Sequence, residues 1–177
     1  MIRHGTIAVM AAGALTALVA GCVSAPEAPP PVVVAATSDL PATEWRRIIQ
    51  TEKRFSVYIS APAVREGDLA HFRLVYVYMP GEIIHEGREV ASQEYAHVTL
   101  DCTAERVRLG TRTRYAPDGT AFGQDGDQNY APIMGMAVFR AQEVHCKDKP
   151  WAGMNVIPGG ADWIARARAA IATSAAL

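Results

Sequence analysis

Between Tyr95 and Tyr115 the side chains alternate in character with a period of two, and this restricts the fold more than any other feature. Ala96, Val98, Leu100 and Cys102 alternate with Tyr95, His97, Thr99 and Asp101, so the first set is expected to face a core and the second water. From Arg106 to Tyr115, Val107, Leu109, Thr111, Thr113 and Tyr115 alternate with Arg106, Arg108, Gly110, Arg112 and Arg114. Phe55, Val57 and Ile59 alternate with Ser56, Tyr58 and Ser60, and Phe72 to Met79 is rich in Val and Tyr, so both stretches read as strands. Pro117-Asp118-Gly119 supplies a tight turn. The expected architecture is an antiparallel meander of about five to six strands with one face wet.

The carboxyl end changes period. Pro158-Gly159-Gly160 breaks the chain, Asp162 suits a helix start, and Trp163, Ala167, Ala170 and Ile171 fall at helical spacing. The fold class is therefore α+β: mainly antiparallel sheet, with a C-terminal helix packed on one face. Residues 44–52 are ambiguous, because Trp45, Ile48, Ile49 and Glu52 follow helical spacing in a segment that leads straight into a strand.

The chain has 177 residues, and its 17 Lys+Arg balance 18 Asp+Glu. That balance lends no support to a nucleic-acid partner, which selects for a basic excess. Three cysteines leave one unpaired, and the amino terminus accounts for it. Arg3 and His4 precede an uncharged apolar stretch from Ile7 to Ala20, and small residues lead to Cys22, in the order of a bacterial secretory signal. Leu18-Val19-Ala20-Gly21-Cys22 resembles the lipobox of bacterial lipoproteins, in which the cysteine becomes the lipidated first residue. Val23 is not the Asp that retains many such proteins in the inner membrane, so the expected location is the outer membrane, with its surface or periplasmic face left open.

Residues 1–21 are thus read as a lipoprotein signal peptide, and 22–43 as the lipidated cysteine with a Pro/Ala-rich tether. Val32-Val33-Val34 offers an edge strand as the alternative there. Residues 44–177 form one domain. In an oxidising compartment the remaining Cys102 and Cys146 are expected to pair.

Several of these segments together resemble the surface-adhesin protein E family of lipid-anchored Gram-negative proteins. They are Trp45 with Tyr58-Ile59, Ser92 leading to Asp101-Cys102, the arginine strand to Tyr115, Asp118-Gly119, and Ile157-Pro158-Gly159-Gly160 before the final helix. The similarity covers about residues 44–172. It implies an antiparallel sheet with a helix against it, a strand pair over Trp45 to Ile59, and action by binding extracellular proteins rather than by catalysis. Two departures stand out. The family pattern commonly places a cysteine at the end of the last helix, where this chain has Ala175-Ala176-Leu177, and the stretch from Gln124 to Lys149 is longer and more irregular.

Arg106, Arg108, Arg112 and Arg114 are the candidate anionic-ligand surface, since one strand face would present them in a row for bidentate contacts. The competing reading is a solvated face whose arginines pair with neighbouring carboxylates. His71, His85, His97 and His145 lack metal-ligand spacing and read as surface or strand residues. Asp125, Asp127 and Asn129 begin like a calcium loop, but Tyr130 and Met136 stand where glycine and a bidentate acid belong. Gly123 to Asn129 therefore reads as a flexible loop, and Met134, Met136, Ile133, Val138 and Phe139 as core or loop packing. Ser60 and Ser92 have no nucleophile context. No catalytic residue, cofactor or metal is expected. The partners implied are a membrane through the lipid, and extracellular or envelope proteins or anionic polymers. A periplasm-facing envelope binder is the alternative, and an enzyme the least supported class.

Overall fold

The computed structural model describes residues 39–51, 54–149 and 155–174. The signal peptide, Cys22 and Val32–Val34 lie outside them. Chain order is β1 (Glu44–Gln50), β2 (Phe55–Ala61), β3 (Val64–Glu66), β4 (Leu69–Tyr78), β5 (Ile84–His85), β6 (Arg88–Glu89) and β7 (Ser92–Asp101). It continues with β8 (Arg106–Leu109), β9 (Arg112–Tyr115), β10 (Ala121–Asp125), β11 (Ala131–Pro132), α1 (Met136–His145), β12 (Val156–Pro158) and α2 (Trp163–Ser174).

The main sheet has 10 strands, with the path β10-β9-β7-β4-β2-β1-β12, while β5 and β6 form a separate hairpin. Every pairing is antiparallel. The fold is α+β as expected, with more strands than the five or six read from alternation. The additions, such as β3, β5, β6, β11 and β12, are two or three residues long, too short to show a period. Gly123 to Asn129 is not all loop, since β10 runs through to Asp125 and pairs with β9.

The expectation of one wet face does not hold. Val57 and Ile59 of β2 join Phe72, Leu74, Val98 and Leu100 beneath α1, whose Ala137, Val138, Ala141 and Val144 complete that core. On the opposite face Tyr58, Val75 and Val77 lie against Trp163, Ala167 and Ile171 of α2. Consecutive residues of β2 are consequently buried from both sides, Ser56 and Ser60 included.

Two devices hold the helices in place. Trp45 of β1 stacks on Trp163 of α2, with ring centroids 4.1 Å apart, and the Arg73 guanidinium sits over Trp45 at 5.0 Å. Gly159 makes this docking possible, because a Cβ there would stand 2.3 Å from the Ala42 carbonyl oxygen. On the other face Cys146, which caps α1, is bonded to Cys102 just past β7, with an S–S distance of 2.03 Å. The bridge closes a loop over a sequence separation of 44.

A loop of that length is worth about 4 kcal/mol on the chain-entropy account. Replacing both cysteines with Ser is expected to lower unfolding free energy in urea by about 2–5 kcal/mol. A loss below about 1 kcal/mol would mean that α1 docks as firmly without the bond.

Candidate functional site

The site begins with an irregularity in the sheet. Leu74 of β4 pairs with Tyr95 of β7, but the next pairing is Phe72 with Val98, so Ala96 and His97 together oppose Arg73. Such a bulge shifts the pleat of β7 by one residue. Tyr95 before it and Val98 after it both pack with the core under α1, although the alternation had placed them on opposite faces. The opposite face receives Glu94, which accepts from Arg73 Nε at 2.6 Å, and beyond the bulge His97 and Thr99.

The strand alongside follows that shift. Arg112 and Arg114 pair with Tyr95 and Gln93, whereas Arg108 and Arg106 pair with Thr99 and Asp101. The four arginines therefore form two pairs on opposite faces of the sheet, not one row. On the α1 face, Arg112 and Arg114 both bind the Asp125 carboxylate, the latter at 2.9 Å, and Arg112 lies over the Tyr95 ring. The Arg112 hydrogen bond, opposed by burial and reinforced by Arg114, holds Asp125 below its ordinary value. Arg114 is itself buried.

On the other face Arg108 opens into a polar cleft of about 270 Å³, lined by His71, His97, Thr99, Gly110, Asp127 and Tyr130 as well. His71 Nδ1 lies 3.1 Å from Thr99 Oγ1 and 3.2 Å from His97 Nε2, and Glu66 approaches the far ring nitrogen at 3.5 Å. Arg108 Nη2 donates to Asp127 Oδ2 at 2.9 Å, and Thr111 Oγ1 donates to Asp127 Oδ1 at the same distance. Burial, followed by electrostatic interaction with His71 and Arg108, pushes His97 below its ordinary value of 6.5. The floor is bare backbone at Gly110, where a Cβ would meet the His97 carbonyl oxygen at 2.5 Å. Arg106, at the rim, donates to the Tyr130 carbonyl oxygen at 2.9 Å, with its guanidinium 5.9 Å from the ring centre.

Other expected residues fall elsewhere. His145 is not a surface residue: it is buried on α1 against Phe72, with Nε2 lacking a hydrogen-bond partner among the described residues. Desolvation, with smaller effects from Arg46 and Arg65, lowers it to about 4. His85 stands near Phe122, away from the cleft. Of the five residues expected to pack, Val138 is in the core and Ile133 lies against it, whereas Met134, Met136 and Phe139 are exposed. Among the described residues no group of three or more His, Cys, Asp or Glu is placed to hold a metal ion. Register across two strands, which no single segment encodes, brings His71 to His97. Asp127, set aside as a failed calcium ligand, is the partner of Arg108.

Comparison with known proteins finds no matching family model, no matching curated protein and no matching solved structure.

His145 is neutral when folded and ordinary when unfolded, so between about 6.5 and about 4 the unfolded chain binds more protons. Stability is expected to fall as pH drops through that window, by about 3 kcal/mol in all, then level off. His145→Leu should remove that slope, read by urea denaturation across pH. An unchanged slope would assign the loss to other groups.

Asp125→Ala leaves buried Arg114 without its carboxylate and is expected to cost about 1–3 kcal/mol. Asp127→Ala releases only a half-exposed arginine and should cost under about 1 kcal/mol. Equal losses in thermal or urea unfolding would show that Arg114 finds another partner.

Proposed function

We propose that this is a lipid-anchored outer-membrane protein that works by binding, related in kind to the protein E-type adhesins that its sequence resembles. The partition of its three cysteines carries the reading. Cys102 and Cys146 are joined to each other across α1 and β7, which leaves Cys22 as the unshared thiol, at the lipobox position. A disulfide of this kind belongs to an oxidising compartment such as the periplasm or cell surface. Lipid on Cys22 then supplies the anchor, because several acyl chains at ~0.8 kcal/mol per buried CH₂ hold effectively permanently.

The cleft of His71, His97, Thr99, Arg108, Asp127 and Tyr130 is the recognition site in this reading. Its arginine is already matched by a carboxylate, and its imidazole and hydroxyl groups offer directional donors and acceptors. Such a surface discriminates ligands by hydrogen-bond pattern more than by charge. A periplasm-facing envelope binder uses the same anchor and the same cleft, so accessibility decides between the two orientations.

Cys22→Ala is expected to abolish labelling by radioactive palmitate and to detach or stall the protein. Continued labelling would overturn the anchor. Protease added to intact cells should degrade the domain if it faces outward. Cleavage only after the outer membrane is permeabilised would place it in the periplasm and rule out surface adhesion.

A further inference from the structure

The polar cleft on the α2 side of the sheet has a chemistry more specific than binding in general. Among the described residues Arg108 is the only arginine that lines it, and Asp127 holds it at 2.9 Å. His97 is kept below its ordinary value and is neutral near pH 7. An anion entering here would meet a cation already matched by a carboxylate, and would bring a second negative charge beside Asp127. A cation would meet Arg108 and the histidines. The lining suits neither.

What remains unsatisfied is hydrogen-bonding capacity of both kinds. His71 Nδ1 carries either one hydrogen or one lone pair, yet both Thr99 Oγ1 and His97 Nε2 lie within reach of it, at 3.1 and 3.2 Å. Only one of those contacts can be a full hydrogen bond at a time, so the other group keeps a donor or acceptor for the cleft. The Arg108–Asp127 pair adds fixed donors and acceptors side by side, and each of its two side chains is 49% exposed. Tyr130, 38% exposed, gives the cleft an aromatic wall, and Gly110 leaves its floor open. At about 270 Å³ the space is just below the roughly 300–1,000 Å³ of drug-sized sites, and accommodates a single six-membered ring.

We propose that this cleft binds one residue of a neutral glycan. Adjacent hydroxyls of a pyranose donate and accept together, as the Arg108–Asp127 pair and the His97–Thr99 edge require, while the ring's C–H face packs on Tyr130. The inference rests on the reading of this domain as a binding module and names its ligand class. Its opposite is an anionic ligand, for which the arginines alone would argue.

Histidine side-chain NMR on the full chain in detergent tests it, with glucose, galactose, mannose and N-acetylglucosamine as probes and glucuronate and inorganic phosphate as anionic comparators. At least one neutral sugar is expected to shift the His71 and His97 ring signals saturably, and more tightly than either anion. Asp127→Asn should weaken that sugar at least tenfold and, by freeing Arg108, strengthen phosphate. Tyr130→Ala, at an exposed position, should weaken the sugar several-fold while leaving the histidine signals of the free protein in place. N-acetylglucosamine as the best ligand would point to the peptidoglycan backbone, and a hexose to another glycan. No shift with any of the four sugars, tighter binding of phosphate or glucuronate to the native chain, or sugar binding unchanged in both variants would overturn the proposal. These readouts do not depend on Cys22, so loss of palmitate labelling and loss of sugar binding are separate results.

Discussion

Setting Ala96 and His97 against the single residue Arg73 shifts the pleat of β7, and the neighbouring strands must follow. Before the bulge, odd-numbered side chains such as Tyr95 face the core under α1; after it, odd-numbered His97 and Thr99 face the opposite side. The irregularity is secured from β8–β9 by Gly110, whose amide donates to the His97 carbonyl at 2.7 Å and whose missing Cβ allows that approach. One extra residue thereby does three things. It builds the His71–His97 contact, divides the arginines between faces, and leaves a concave patch on a sheet surface that α2 covers elsewhere.

The same device explains where reading by period succeeds and fails. Strands long enough to show alternation, β2, β4 and β7, are visible in sequence, as is α2, whose Trp163, Ala167 and Ile171 stripe is the buried one. The helix-like spacing of Trp45, Ile48 and Ile49 is the mark of another bulge: Arg47 pairs with Tyr58, but Ile49 pairs with Val57, so both isoleucines reach the α1 core. A period of 3.6 and a period of two interrupted by one residue are indistinguishable over so short a run. Helix α1 escapes notice for a different reason. Exposed Met136 and Phe139 fill positions that a solvated face would give to polar residues, and buried Gln142 and His145 occupy the inner stripe. Gly110 was the one local sign of the bulge in β7, since a lone glycine in a strand marks close backbone approach. Among arginines it reads as another small residue on the wet face.

The arginine row shows why the site was less legible than the fold. Alternation establishes that the four guanidinium groups share a parity, but parity predicts a face only while the pleat is unbroken. Three of them take their partners from Asp125 and Asp127, themselves two apart, which nevertheless serve opposite faces. Asp125 ends β10 beside Arg112 and Arg114. Beyond it the chain turns around the sheet edge, where the Gln128 amide donates to the Leu109 carbonyl and β11 pairs with β8, bringing Asp127 to Arg108. Arg108 and Asp127 are thus matched one to one, whereas Arg112 and Arg114 share a single carboxylate and Arg106 donates to a backbone carbonyl. In the proposed site that one-to-one match is the physical reason an arginine-bearing cleft would suit hydroxyls: the Arg108 charge arrives with its counter-charge, and directionality is what is left to recognise.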